Sequence, residues 1–250
     1  MASEERAIPS PSGEPPPPGW GKDRFTAFLD MARGNLFASF YNLAPKYAIL
    51  RTVDEAYLAL IEGWKDPEDA FAAPLAIRCH SAFRVAAQLS MSGQLPEAFM
   101  VARGCLEHAL YANHINARPD AWTVWTQRGR DQKAKKACIQ EFATRRIFDS
   151  LRERDTRIAE IAGALYERAI EFGAHPNELA VAVSTEMFES HDGVSFEFSY
   201  LAGDGLAYQL CHKSVIQTGL VALDTLCLVF PERCRALRIQ ERVAAVKTQS

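Results

Sequence analysis

The stretch RGCLEHALYANH, residues 103–114, sets an arginine, a glutamate, a tyrosine and two histidines inside an otherwise apolar run. These side chains can do chemistry. A glutamate or a histidine can move a proton, and an arginine can clamp an anion through paired N–H bonds. Advancing about 100° per residue from Arg103 puts Glu107 near 40°, Tyr111 near 80° and His114 near 20°. The four form one polar stripe, although His114 lies roughly 16 Å from Arg103 along the axis. His108 falls about 140° away and faces a different neighbour. Two readings fit. Arg103 and Glu107, one turn apart, can pair and hold neighbouring helices in register. Alternatively they line a pocket between helices, with Glu107 as base or ligand and Arg103 as anion clamp. Arg103, Glu107, His108 and His114 are then the catalytic candidates.

The rest of that helix's circumference is apolar, from Phe99 through Ala102, Leu106 and Leu110 to Ile115. A helix apolar on nearly every side belongs in the middle of a bundle. Its neighbours follow from periodicity and from proline, glycine and aspartate punctuation. Helices are expected over Lys22–Asn42, over Thr52–Gly63 after an interruption at Pro45, from Pro74 to about Ser90, and from Pro96 to about Asn116. Asp66-Pro67 reads as a further start signal. Asp131–Phe172 reads as long helix broken once near Asp149, with Ile158, Ile161 and Leu165 on its apolar stripe and charge on its outer face. Gly173 and His175-Pro176 read as its stop. VSFEFSY alternates apolar and polar residues after Asp192-Gly193, so a hairpin is expected at about 181–200, lying on the helices. Gly203–Phe230 is apolar helix, and Pro231–Val246 a short charged helix or tail. The expected fold is therefore all-α: a multi-helix bundle with a long central helix and a small peripheral β-hairpin. Residues 1–21, with prolines at 15–18, read as a disordered tail, and 22–250 as a single helical domain.

Further candidates for binding lie on other helices. His80 and Arg84 share a helical face and could complete a basic pocket against the Arg103 helix. Trp122 and Trp125, three residues apart, stand beside a segment, 118–157, with eleven Lys or Arg against six Asp or Glu. Aromatic rings among cations suit nucleic-acid phosphates and bases, so RNA is a possible partner, although interspersed acids equally suit a solvated helix face. Glu171, His175, Glu178, Glu186, Glu189, His191 and Asp192 gather carboxylates and imidazoles. No metal-binding spacing orders them, so neither a metal nor another cofactor is expected.

Arg103-Gly-Cys-Leu-Glu-His108 resembles the arginine-to-histidine signature of the HEPN superfamily. That resemblance implies a helical bundle, often a homodimer. In the active members it implies metal-independent cleavage of RNA at a cleft lined by two chains, in defence or toxin–antitoxin systems. Gly104 departs from the pattern, which has a polar residue after the arginine. Residues 73–148 also resemble a group of uncharacterised bacterial helical proteins. The shared pattern falls here on Arg103, Glu107, Tyr111, Trp125 and Arg128, which adds Tyr111 and Arg128 to the binding candidates.

Composition bounds these readings. The chain has 250 residues, 48% apolar and 24% charged, enough for one sizeable core. A net charge of -3 gives no whole-chain attraction to polyanions. The six cysteines, at 79, 105, 138, 211, 227 and 234, form no CxxC pair and read as buried small hydrophobes in a reducing compartment. No secretory h-region and no apolar run of about 18 residues is present, so the expected location is cytoplasmic and no membrane partner is expected. The function expected from the residues is that of a helical binding or interaction protein with a buried polar seam. The HEPN-like ribonuclease is the alternative.

Overall fold

Proline and aspartate open most of the helices. The computed structural model describes residues 16–64, 71–174, 178–182, 185–190 and 193–248. Helix α1 (Arg24–Asn42) starts at Asp23, whose carboxylate accepts from the Phe25 and Thr26 amides. Helices α2 (Ala44–Ile61), α3 (Ala73–Ser92) and α4 (Leu95–Ala117) each carry proline in the first turn, where a missing N–H costs nothing. Helix α2 thus begins at Ala44, eight residues before the expected start, with Pro45 in its first turn and no gap before Thr52. Asp66-Pro67 lies outside the described residues.

Helix α4 is the hub. It packs against α3, α7 (Thr144–Arg154), α8 (Thr156–Ala169) and α10 (Leu206–Val229). Ala98, Cys105, Ala109, Leu110 and Ala112 are completely buried in it. Alanine and cysteine at these places let neighbouring backbones come close while still removing apolar surface from water. All six cysteines are buried and unbridged. Between α4 and α7 run the short α5 (Asp120–Thr126) and α6 (Gln132–Glu141). Helix α2 covers α3 and α12 (Ile239–Lys247), and α11 (Pro231–Ala236) joins α10 to α12. The expected short charged helix or tail is thus two helices, which bury Cys234, Ile239 and Val243. No described helix is long and apolar enough to cross a membrane.

The stretch expected as one long helix is broken elsewhere. Asp149 sits inside α7 and pairs with Arg152 at 2.6 Å. The breaks fall at Phe142-Ala143 and at Asp155, where extended backbone lets the Asp155 carboxylate accept from the Ile158 amide at 2.8 Å. Helix α8 then runs into a π-helical turn (Ile170–Ala174). Gly173 is required in it, because a Cβ there would lie 2.2 Å from the Pro96 carbonyl oxygen. His175-Pro176 lies outside the described residues.

The hairpin departs from expectation in extent and in placement. Residues 178–182 form a short helix, α9, and the strands are β1 (Thr185–Ser190) and β2 (Gly193–Phe198). They pair antiparallel, with Met187 opposite Phe196 and Thr185 opposite Phe198. One face therefore collects Val194, Phe196, Phe198 and Met187. All four are more than half exposed, so the hairpin projects instead of lying on the helices. Its return is fastened to the bundle by the Ala202 amide, which donates to the Gly93 carbonyl at 2.8 Å, and by Tyr200 edge-on to Phe28. Most of the proline-rich tail lies outside the described residues. In its last part the Trp20 indole donates to Asp30 of α1 at 3.0 Å.

Candidate functional site

The polar stripe of α4 faces the α6–α8 layer along its whole length. At one end Arg103 Nε lies 3.2 Å from Glu107 Oε1, both half-buried, and the Arg103 guanidinium lies over the Tyr166 ring at 5.7 Å. Tyr166 donates its hydroxyl to the same Glu107 oxygen at 3.2 Å. One turn on, Tyr111 stacks on Phe142 with centroids 4.7 Å apart. Burial, then the Glu107 charge, push both phenols above their ordinary pKa, so they stay protonated donors. Arg128 is exposed, and its charge opposes that rise less strongly.

At the other end His114 is fully buried. Its Nδ1 lies 2.7 Å from Ser150 Oγ and its Nε2 lies 3.1 Å from Glu141 Oε1. Arg118 Nε donates to Ser150 Oγ at 3.3 Å, and Arg146 holds the other Glu141 oxygen at 3.0 Å. One proton arrangement satisfies every group. Arg118 donates to Ser150, Ser150 to His114 Nδ1, and His114 Nε2–H to Glu141. Burial pushes the imidazole pKa down despite Glu141, which fits a neutral ring.

Serine, histidine and glutamate in a chain have the connectivity of a hydrolase triad. Here, however, Ser150 Oγ is sealed from solvent and bonded on both sides. A nucleophile has to be reachable by substrate. The network is therefore a strut that fixes α4 against α6 and α7.

The other candidates divide among separate places. His108 faces away from Arg103, and burial followed by the nearby Arg78 charge lowers its pKa. Within one chain the arginine and histidine of the RGCLEH motif do not meet. His80 and Arg84 share a face, but their partner is Asp54 of α2 and not the Arg103 helix. Arg84 grips that carboxylate with two N–H bonds, at 2.6 and 2.9 Å, and His80 Nε2 lies 2.6 Å from it. Burial alone would raise the Asp54 pKa, but these bonds hold it well below the carboxylate range. No basic pocket forms, because the acid neutralises it. Trp122 and Trp125 lie 5.4 Å apart on α5, and Phe71 stacks on Trp122 at 4.8 Å, so the pair closes the edge of the core. Among the described residues no group of three or more His, Cys, Asp or Glu could hold a metal ion. His175, His191 and Asp192 lie outside them.

A further concavity contains none of the candidate residues named above. A cleft of about 980 Å³ opens between α8, α10 and the α11–α12 end. Ile158, Ile161 and Leu165 of α8 face Leu220, Val221 and Leu228 of α10 across its apolar floor. At one end Arg168 Nη1 donates to Ser214 Oγ at 3.2 Å and to Gln217 Oε1 at 3.3 Å. On the α12 side Lys247 pairs with Asp224 at 2.7 Å. An apolar cleft with a few placed polar groups has the general form of a small-molecule site. The only sequence signal is the α8 stripe at 158, 161 and 165, which continues to 168 at helical spacing. Its opposite wall is some fifty residues away in the chain. Comparison with family models, with curated proteins and with solved structures gives no match.

Proposed function

We propose that this chain is a binding protein whose ligand site is the cleft between α8, α10 and α12, while the polar seam of α4 is structural. The cleft carries this reading. It combines free volume, an apolar floor and fixed polar groups at its margins, whereas His114 and Ser150 are sealed from solvent. The expected ligand is a small molecule with an apolar body, and one chain suffices to form the site. Native mass spectrometry of freshly purified protein tests the reading, alongside Ala164→Trp. Ala164 lines the cleft from an exposed position, so an indole there fills the space without entering the core. A bound mass on the wild type that disappears in Ala164→Trp supports the site. A bound mass retained in the variant places the ligand elsewhere and defeats the reading.

A HEPN-like ribonuclease would need a second chain to bring a histidine to Arg103, since His108 lies on another face and Arg103 is committed to Glu107. RNA cleavage by the wild type, lost in a folded Arg103→Ala variant, would reverse the preference. The homodimer and RNA readings stand or fall with that assay.

A further inference from the structure

We infer that the cleft binds an amphipathic carboxylate, a straight apolar chain of roughly a dozen carbons whose headgroup is held by Arg168; this rests on the binding reading above. The inference starts from the charges that line the cleft. Asp155 caps α8, Asp224 pairs with Lys247, Arg235 with Glu232, and Glu241 lies 3.8 Å from Arg238. Arg157 and Glu160 are exposed. Arg168 differs from all of these. It is half-buried, and no carboxylate lies within ion-pair distance of it among the described residues. A guanidinium partly withdrawn from water without a counter-ion favours an anion that brings its own charge.

The bracing of Arg168 says which anion fits. Both of its hydrogen bonds use Nη1, to Ser214 and Gln217. The Nε–Nη2 edge stays uncommitted, and this is the fork that matches two carboxylate oxygens in parallel. Ser214 is nearly fully buried, so the bracing side is rigid. Helix length then sets the ligand body. From Arg168 back to Ile158 along α8 is about 15 Å at 1.5 Å per residue, and apolar side chains line that run from both helices. A short acid would leave the floor empty, and an uncharged chain would leave the guanidinium without its anion.

The test uses the full chain and a fluorescent probe, dansyl-undecanoate, displaced by decanoate or by decan-1-ol below their aggregation limits. Wild type should favour decanoate over the alcohol by about tenfold, the range of a charge-assisted pair. Arg168→Gln keeps a hydrogen-bonding side chain but removes the charge, and should bring the two competitors level. Ala164→Trp should abolish displaceable binding of the probe. Equal competition in wild type, unchanged by Arg168→Gln, overturns the carboxylate assignment while leaving the cleft as a neutral site. Displaceable probe binding that survives Ala164→Trp, or no probe binding at all, overturns both this inference and the reading on which it rests.

Discussion

Tyr166 and Arg168 stand two residues apart on α8 and serve opposite kinds of surface. Tyr166 turns to α4 and completes a seam in which Glu107 is held from two sides. Arg168 turns to α10 and keeps one edge of its guanidinium uncommitted beside a cleft. The seam is the richer in residue types associated with catalysis. Yet its deepest part, the His114 network, is closed by its own partners. Residue type alone therefore does not tell a strut from a site inside a bundle. The more telling features are an incomplete set of partners and free volume next to it, because buried polar groups that serve only the fold are satisfied by the fold.

Breaking each side of that contrast should give very different results. His114→Leu leaves Ser150 and Glu141 without their shared partner and should cost about 3 kcal/mol of stability, measured as a lower urea midpoint at unchanged m. Sealing also sets the pH response. Burial, with the Lys46 charge adding to it, lowers the His212 pKa to about 4, and burial lowers that of His114 as well. The unfolded chain takes up protons near pH 6.5, before the folded one does. Stability is therefore complete above about pH 6.5 and falls as pH drops toward 4, by up to about 3 kcal/mol from His212. Urea midpoints at pH 7.5 and 5 should show the loss, and His212→Gln should flatten it. Arg103→Ala, at the open end of the seam, should cost only about 1 kcal/mol, since a half-exposed pair is partly screened. A collapse of the fold in that variant would extend the sealed region to the whole seam. Arg168→Gln should change stability by less than about 1 kcal/mol while altering ligand preference. A loss as large as that of His114→Leu would make Arg168 a structural residue and dissolve the contrast.

Much of the architecture was legible because it is local. Helical spacing alone puts Arg103, Glu107, Tyr111 and His114 on one side of α4, and that side meets a single layer. Proline at helix starts marks α3 and α4 within a residue or two. The break at Phe142-Ala143 carries neither glycine nor proline, and nothing local in the sequence separates Asp155, which caps α8, from Asp149, which lies inside α7. Partners across the fold were illegible for a different reason. Asp54 lies 26 positions from His80, and Ser214 lies 46 from Arg168. No periodicity links such pairs, so nothing in the sequence sets Arg168 apart from the other charges of its helix.

The two fastenings beside the hairpin have a topological consequence. Gly173 abuts Pro96, and Ala202 bonds to Gly93, so the excursion leaves and rejoins the bundle at the same α3–α4 corner. A loop whose ends already meet is cheap to resize. Each halving of its length changes the closure entropy by only about 0.6 kcal/mol. Shortening or extending the chain between these anchors is therefore expected to leave the helices that form the core and the cleft with their connections intact.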